Sequence, residues 1–367
     1  MRDYKIFAIN PGSTSTKIAL FQGVKCLFSA NVSHEASVLK EFKEMVEQLP
    51  YRKETIDLIL SENKISLQDV DAYVGRGGGL LSVEGGTYEV NDIMIAHAKK
   101  GANGVNHPAQ LGSLLAMSYA EKYEKPTYVV NPPDTDELID VARMTGIKGV
   151  YRNVHLHALN LKETAIRHSE KMGKKYEECN YVVCHLGGGV SVSAHQLGKM
   201  IDGNDIVGGE GPMAPTRCGS VSVIEIVKLI NKGELPENIK AFVMKNGGFV
   251  SHLGTNDVIE IEKKIMEGNK TAHLVWSAFI YQIEKYIGAM GAALAGKVDG
   301  ILLSGGIVHS NKLVEKLTEE CSWLAPVYTY PGEFEMEAMA SGVLRVLTGT
   351  ETPKTYTGIP VWNGFDF

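Results

Sequence analysis

The segment Asn10-Pro11-Gly12-Ser13-Thr14-Ser15-Thr16-Lys17 gathers an amide, a glycine, consecutive hydroxyl residues and a lysine. A turn of this kind aims backbone N–H and side-chain O–H groups at phosphate oxygens, while Asn10 can orient a metal-bound water and Lys17 adds charge. It is not a Walker A loop, because no second glycine precedes the lysine and the following residues read as strand. A plain hairpin turn has a similar composition, but a second segment favours phosphate. His185-Leu186-Gly187-Gly188-Gly189 places three glycines directly after an apolar strand, where one would suffice for a turn, so a ligand must approach that backbone closely. His185, at the strand end, can donate to a phosphoryl oxygen. A third apolar strand, Ile301 to Leu303, ends in Ser304-Gly305-Gly306 before a helix that begins near Asn311. Such a strand end admits an adenosine or its phosphates.

Two arginines stand among glycines: Arg76 in Gly75-Arg76-Gly77-Gly78-Gly79, and Arg217 in Thr216-Arg217-Cys218-Gly219. Glycine neighbours give an arginine no packing partners, which leaves its guanidinium to clamp a carboxylate or phosphoryl group bidentately. The bland alternative for each is a solvated surface arginine. His155 and His157 open a predicted helix, and at most one of them faces a site. Asn131-Pro132-Pro133-Asp134-Thr135-Asp136 follows a strand over Thr127 to Val130, and its acids serve a metal or cap the next helix. Gly209-Glu210-Gly211-Pro212-Met213-Ala214 formally fits a dinucleotide fingerprint, but Pro212 follows the second glycine and no amphipathic helix opens there.

The elements that must position these residues come in two similar sets. Ile6 to Ile9, the turn at Asn10 to Ser13, and Thr14 to Leu20 ending near Gly23 read as strand, turn, strand, turn, strand. Tyr181 to Cys184, the glycine turn, Val190 to His195 and Gly198 repeat that layout, so the chain is internally duplicated. Helical spacing follows each set: Asp92 to Ala98, Leu111 to Ala120 and His157 to Ile166, then Val223 to Ile230, Asp257 to Met266, Ala272 to Leu294, Asn311 to Leu317 and Glu335 to Leu347. Each half is therefore a mixed sheet with helices packed on it. The crossing between halves is expected near Val150 to Val154. Thr350 to Phe367, rich in Thr, Pro, Gly and aromatics, carries no periodic signal.

At 367 residues two domains are the default, with a cleft as the natural site. Hydrophobic residues at 44% and charged residues at 22% are globular values, and no apolar run reaches the ~18 residues of a membrane span. A soluble protein without an export signal is expected. The net charge of −6 argues against non-specific nucleic-acid binding. Of five cysteines only Cys179 and Cys184 lie close, at a spacing that matches no zinc or redox motif, so buried thiols in a reducing cytoplasm are expected.

The chain resembles the acetokinase family, and within it the enzymes that act on butyrate. Asn10 to Lys17, Gly85-Gly86-Thr87-Tyr88, His185 to Gly189, Gly254-Thr255-Asn256-Asp257 and Leu303-Ser304-Gly305-Gly306 carry the resemblance, which covers nearly the whole chain. It implies a duplicated actin-like ATPase (ribonuclease H-like) α/β fold, with residues 1–154 plus 336–367 as the acid-binding domain and 155–335 as the nucleotide-binding domain. The implied enzyme is an ATP-dependent kinase of a short-chain fatty acid carboxylate, with Mg²⁺ as cofactor and a homodimer or higher homo-oligomer as its assembly. Asn10 and Glu335 resemble the family's magnesium-organising pair, Arg76 and Arg217 its catalytic arginines, and His157 and His185 its phosphoryl-contacting histidines. Asn10, Gly12, Ser13, Ser15, Lys17, Gly187, Gly188, Gly189, Gly305 and Gly306 would cradle the nucleotide. Arg76, Gly77, Gly78 and His107 would meet the acid. Val130-Asn131-Pro132 departs from the family's aspartate at the middle position, with Asp134 or Asp136 as a possible replacement, and His107-Pro108-Ala109-Gln110 departs from His-Ala-Ser-Asn. Gly77 and Gly78 stand where acetate-using relatives carry bulkier residues, so they either open room for a longer acyl tail or are required by a positive φ. A kinase for another small carboxylate, and an actin-like nucleotide switch, are the competing readings.

Overall fold

Ile6, Phe7, Ala8 and Ile9 are all fully buried, which is why the first strand reads as a continuous apolar run rather than an alternating one. In the computed structural model, which describes residues 3–366, that strand is Lys5–Pro11 (β1), followed by Ser15–Gln22 (β2) and Lys25–Ser33 (β3). Met1, Arg2 and Phe367, at the ends of the opening segment and of the aromatic tail, lie outside the described residues.

The described chain forms two compact units, one running to Asp136 and resuming at Phe334, the other Glu137–Glu333. In the first, Ala72–Gly75 (β4), Thr87–Glu89 (β5) and Thr127–Val130 (β6) join the hairpin strands and a short strand, Lys354–Thr355. Its sheet has the order Lys354–Thr355, β5, β6, β4, β1, β2, β3. β1 is antiparallel to β2 and parallel to β4, and β4 is parallel to β6. In the second unit Asn180–Leu186 (β7), Val190–Gln196 (β8), Lys199–Gly203 (β9), Gly300–Gly305 (β10) and Val327–Pro331 (β11) are ordered β11, β10, β7, β8, β9. β7 is antiparallel to β8 and parallel to β10, which is parallel to β11. Both sheets share one path, an antiparallel three-strand meander and then two parallel strands on the other side of the first strand, and the first sheet adds β5, antiparallel to β6, with Lys354–Thr355 parallel to β5.

The cores follow from the helices laid on these sheets. Phe7, Ile9 and Tyr73 pack under Ile56 of the helix Leu49–Glu62 and Leu111 and Leu115 of the helix Leu111–Tyr123. In the second unit Val182, Val192 and Leu303 face Trp276, Phe279 and Ile283 of the helix Lys270–Ala293, while Val183 and Leu302 face Leu161 and Ala165 of Ala158–Lys171. Each fully buried side chain of this size contributes about 1.5–3 kcal/mol. The helix Glu335–Leu347 packs on the first unit, where a Cβ on Gly342 would come within 2.5 Å of Val130.

The unit boundaries differ from the expected 154/155 and 335/336. Residues 137–154 go with the second unit because Glu137 takes Lys162 Nζ at 2.8 Å and Met200 N at 2.8 Å, and Arg152 reaches Asp202 and Glu210. Glu335 goes with the first because it meets Asn10 and Arg76. The tail docks on its own unit: Tyr356 is buried, its hydroxyl accepts from Leu81 N at 3.0 Å and lies 2.8 Å from His97 Nδ1. No helix of the described residues is long and apolar enough to cross a membrane.

Candidate active site

The first unit's set is built where β1 ends. The hairpin register puts Asn10 opposite Lys17, and Gly12 N closes the turn on Ser15 O at 2.7 Å. Ser13 and Lys17 are exposed and Ser15 is partly so. Asn10 Nδ2 donates to Glu335 Oε2 at 2.7 Å. Arg76 continues β4, its N–H bound to Ile9 O, and its Nε lies 3.7 Å from Glu335 Oε1. Arg76 is 6% exposed, so it is not the solvated arginine of the bland alternative. Burial pulls its guanidinium below the ordinary value, and the Glu335 and Asp134 carboxylates pull it back up. Its Nη1 is buried and has no hydrogen-bond partner. The acids after β6 are buried as well, Asp134 Oδ1 accepting from Asn103 Nδ2 at 2.5 Å. Asn131, at φ +38°, accepts from Gly86 N at 2.7 Å and returns its own N–H to Gly86 O, so its side chain fastens the Gly85–Gly86 turn.

Of the two readings of Gly77 and Gly78, the structure shows the positive φ. Their φ angles are +71° and +146°, and a Cβ on Gly77 would stand 2.5 Å from Val129 Cγ1. The backbone conformation, not spare volume, selects glycine there. A Cβ on Gly78 would meet Ala109 and Gln110 at 3.2–3.3 Å. These follow His107, an exposed residue whose Nδ1 accepts from Ala109 N and so starts the turn before the helix Leu111–Tyr123.

The second unit's set gathers around the glycine turn after β7. His157 and His185 stack with ring centroids 4.1 Å apart. A Cβ on Gly189 would fall 2.5 Å from Arg217 Nη1 and 3.3 Å from His157 Cε1, so any side chain here would press on both. Gly188 and Gly306 have open space where a Cβ would stand, while Gly187 lies against His185 Nε2. Gly305, at φ +98°, lets β10 end against the carbonyl of Leu186. Arg217 Nη1 donates to Ile206 O at 3.3 Å, and its buried Nε has no partner. Burial lowers the Arg217 pKa and nearby Asp205 opposes the shift.

Sequence reasoning missed three supporting residues. Ser191 bonds His157 Nδ1 at 2.8 Å, and counting the hairpin from its glycine turn would have found it, because it pairs with His185. Asp205 holds His155 Nδ1 at 3.1 Å. Burial alone would raise its carboxyl, but His155 and the N–H groups of Gly208 and Val207 hold it below the usual range. Thr216 Oγ1 donates to Gly188 O, tying the arginine's loop to the glycine turn. His155 is thus a partner of Asp205, and His157 is the one in the cluster. Asp257 of the Gly254–Asp257 segment caps the helix Val258–Met266.

The model of the acetokinase family matches residues 147–325. A probable butyrate kinase of Clostridium botulinum (strain Alaska E43 / Type E3) is 44% identical over 354 residues, covering 96% of this chain and 99% of the relative. The chain belongs to the acetokinase family. A second relative in it, probable butyrate kinase 2 of Caldanaerobacter subterraneus subsp. tengcongensis, is 42% identical over the same shares of both chains. Among solved structures, acetate kinase of Porphyromonas gingivalis covers 94% of this chain and all of its own at TM-score 0.73 and 21% identity. Acetate kinase of Entamoeba histolytica covers 92% and 98% at TM-score 0.74 and 17% identity. At that distance the acetokinase structures establish the duplicated actin-like fold, which both sheets display.

Proposed function

We propose that the chain is a butyrate kinase, which moves the γ-phosphoryl group of ATP to the carboxylate of a short-chain fatty acid and releases ADP. The observation that carries this reading is a pair of guanidiniums, buried Arg76 and half-buried Arg217, each with one buried nitrogen that has no hydrogen-bond partner in the protein. A buried donor of that kind on a cation is costly unless an anion completes it. The curated relatives support butyrate as the acid.

Phosphoryl transfer is mostly positioning and charge neutralisation. In the proposed reaction a carboxylate oxygen attacks the γ-phosphorus, the new P–O bond forms in line, and the bond to the bridging oxygen of ADP breaks. Arg76 holds the acid, Arg217 meets the migrating phosphoryl group, and His157 and His185 donate to its equatorial oxygens. The Ser191 bond to His157 Nδ1 fixes the orientation of that ring. The turn Gly12 to Ser15 with Lys17, and the turn Gly187 to Gly189 with Gly305 and Gly306, take the nucleotide. No general base is needed, since a fatty acid is already ionised at neutral pH.

The oxygen donors of Asn10 and Glu335 suit Mg²⁺, and no group of three or more His, Cys, Asp or Glu side chains among the described residues offers a fuller metal cage. That fits an ion that keeps several waters and is shared with phosphates. Bound there, it would neutralise phosphate charge. The helix Val223–Asn231, largely apolar yet with no buried residue, supports a homo-oligomer through a second copy of the chain. Five thiols without a disulfide support a cytoplasmic setting. ADP formation from ATP is the test: it should require added butyrate, and release at the same rate without acid would overturn the reading.

A further inference from the structure

Behind the first hairpin turn lies a charged residue that none of these roles uses. Arg52, on the helix Leu49–Glu62, is fully buried. Its Nε donates to Gln48 Oε1 at 3.0 Å, its Nη1 to Thr16 Oγ1 at 3.1 Å and Ser15 O at 3.4 Å, and its Nη2 to Ser13 O at 3.4 Å. No carboxylate of the described residues pairs with it, and its contacts are neutral acceptors drawn mainly from the turn. Burial pulls its pKa down to about 10, so it stays cationic at neutral pH. The one titratable neighbour on Thr16, His34, bonds that hydroxyl through Nε2 at 2.7 Å and is held neutral, at about 4.

A buried cation without an acid is a net cost to folding unless something else answers its charge. The acceptors show where the answer lies. With Ser13 O drawn toward the guanidinium and no cis peptide bond, the N–H of the same peptide unit, on Thr14, points away from Arg52. Ser13 and Thr14 are exposed. The turn thus has a positive charge beneath it and donors directed outward, the arrangement that receives an anion.

We propose that Arg52 is a positioning residue for the nucleotide: it sets the Ser13–Thr16 turn with its donors outward, and its charge is answered by a phosphate of ATP or ADP bound on the outer face. This rests on the reading of the Asn10–Lys17 turn as a phosphate site. A residue that only pinned the helix to the hairpin would affect stability and both substrates alike.

The experiment compares Arg52→Gln, Arg52→Lys and the double variant Ser13→Ala/Ser15→Ala with the parent enzyme, reading Tm, kcat, KM for ATP and for butyrate, and ADP Kd by calorimetry. Arg52→Gln should raise ATP KM and ADP Kd on the order of tenfold while butyrate KM changes less than about twofold. Arg52→Lys, which keeps the charge and loses the fork, should fall between, and it carries the test if Arg52→Gln does not fold. If the double serine variant weakens ADP but a folded Arg52 variant binds it as the parent does, the role of Arg52 is overturned while the phosphate turn stands. If neither weakens ADP, the phosphate reading of the turn falls, and this inference with it.

Discussion

Arg217 and His157 both lie where a side chain on residue 189 would stand, and the Arg217 Nε has no protein acceptor. A group held that way contributes most when charge develops in transfer. Arg217→Ala should therefore lower kcat on the order of 10²-fold or more with little change in ADP Kd. A variant that keeps more than half of the parent kcat would remove Arg217 from the mechanism. Gly78 tests the opposite kind of residue, one chosen by backbone. At φ +146°, Gly78→Val should cost about 1–3 kcal/mol of stability and depress kcat/KM for acetate, propionate and butyrate by the same factor. Melting curves with the three-acid comparison check this, and a folded variant with a narrowed butyrate preference would restore the pocket reading. The candidates that the sequence singles out are residues with unusual neighbours, Arg76 and Arg217 among glycines. Arg52 is not one of them, because an arginine on an ordinary helix shows nothing of what lies behind it.

The same contrast holds for elements. The helices Asp92–Lys100, Leu111–Tyr123, Lys270–Ala293 and Glu335–Leu347 fall where apolar spacing predicts them, within a few residues at either end. The helix Leu49–Glu62 escaped because its buried stripe is Arg52, Ile56 and Leu60, and a charged residue in the stripe breaks the pattern. β4 and β5 are too short, and too close to glycine turns, to show a period. The hairpin that this helix backs has a pH signature. His34 is held at about 4, first by burial and then by the charge of Arg52, against 6.5 when unfolded. Between those values the unfolded chain binds the proton and the folded chain does not, so stability falls as pH drops from about 6.5 toward 4 and is unaffected above that window. Urea unfolding at pH 7.5, 6 and 5 should show a shallower decline in His34→Gln than in the parent, and identical slopes would contradict the assignment.

At the scale of the whole chain the duplication was legible because both hairpins carry the same spacing of strand and turn, and the two sheets share one strand path. The unit boundary was not, since what assigns residues 137–154 is a set of long-range bonds from Glu137 and Arg152 that no local pattern announces. Identity of 44% across nearly all of the chain then places it among the acetokinases. The central claim, a carboxylate kinase that acts on butyrate, is tested most directly by trapping acyl phosphate as the hydroxamate with ATP, Mg²⁺ and a panel of C2 to C6 acids. The account predicts hydroxamate in step with ADP, with the highest kcat/KM for butyrate. ADP release without acyl hydroxamate from any acid of the panel would contradict it.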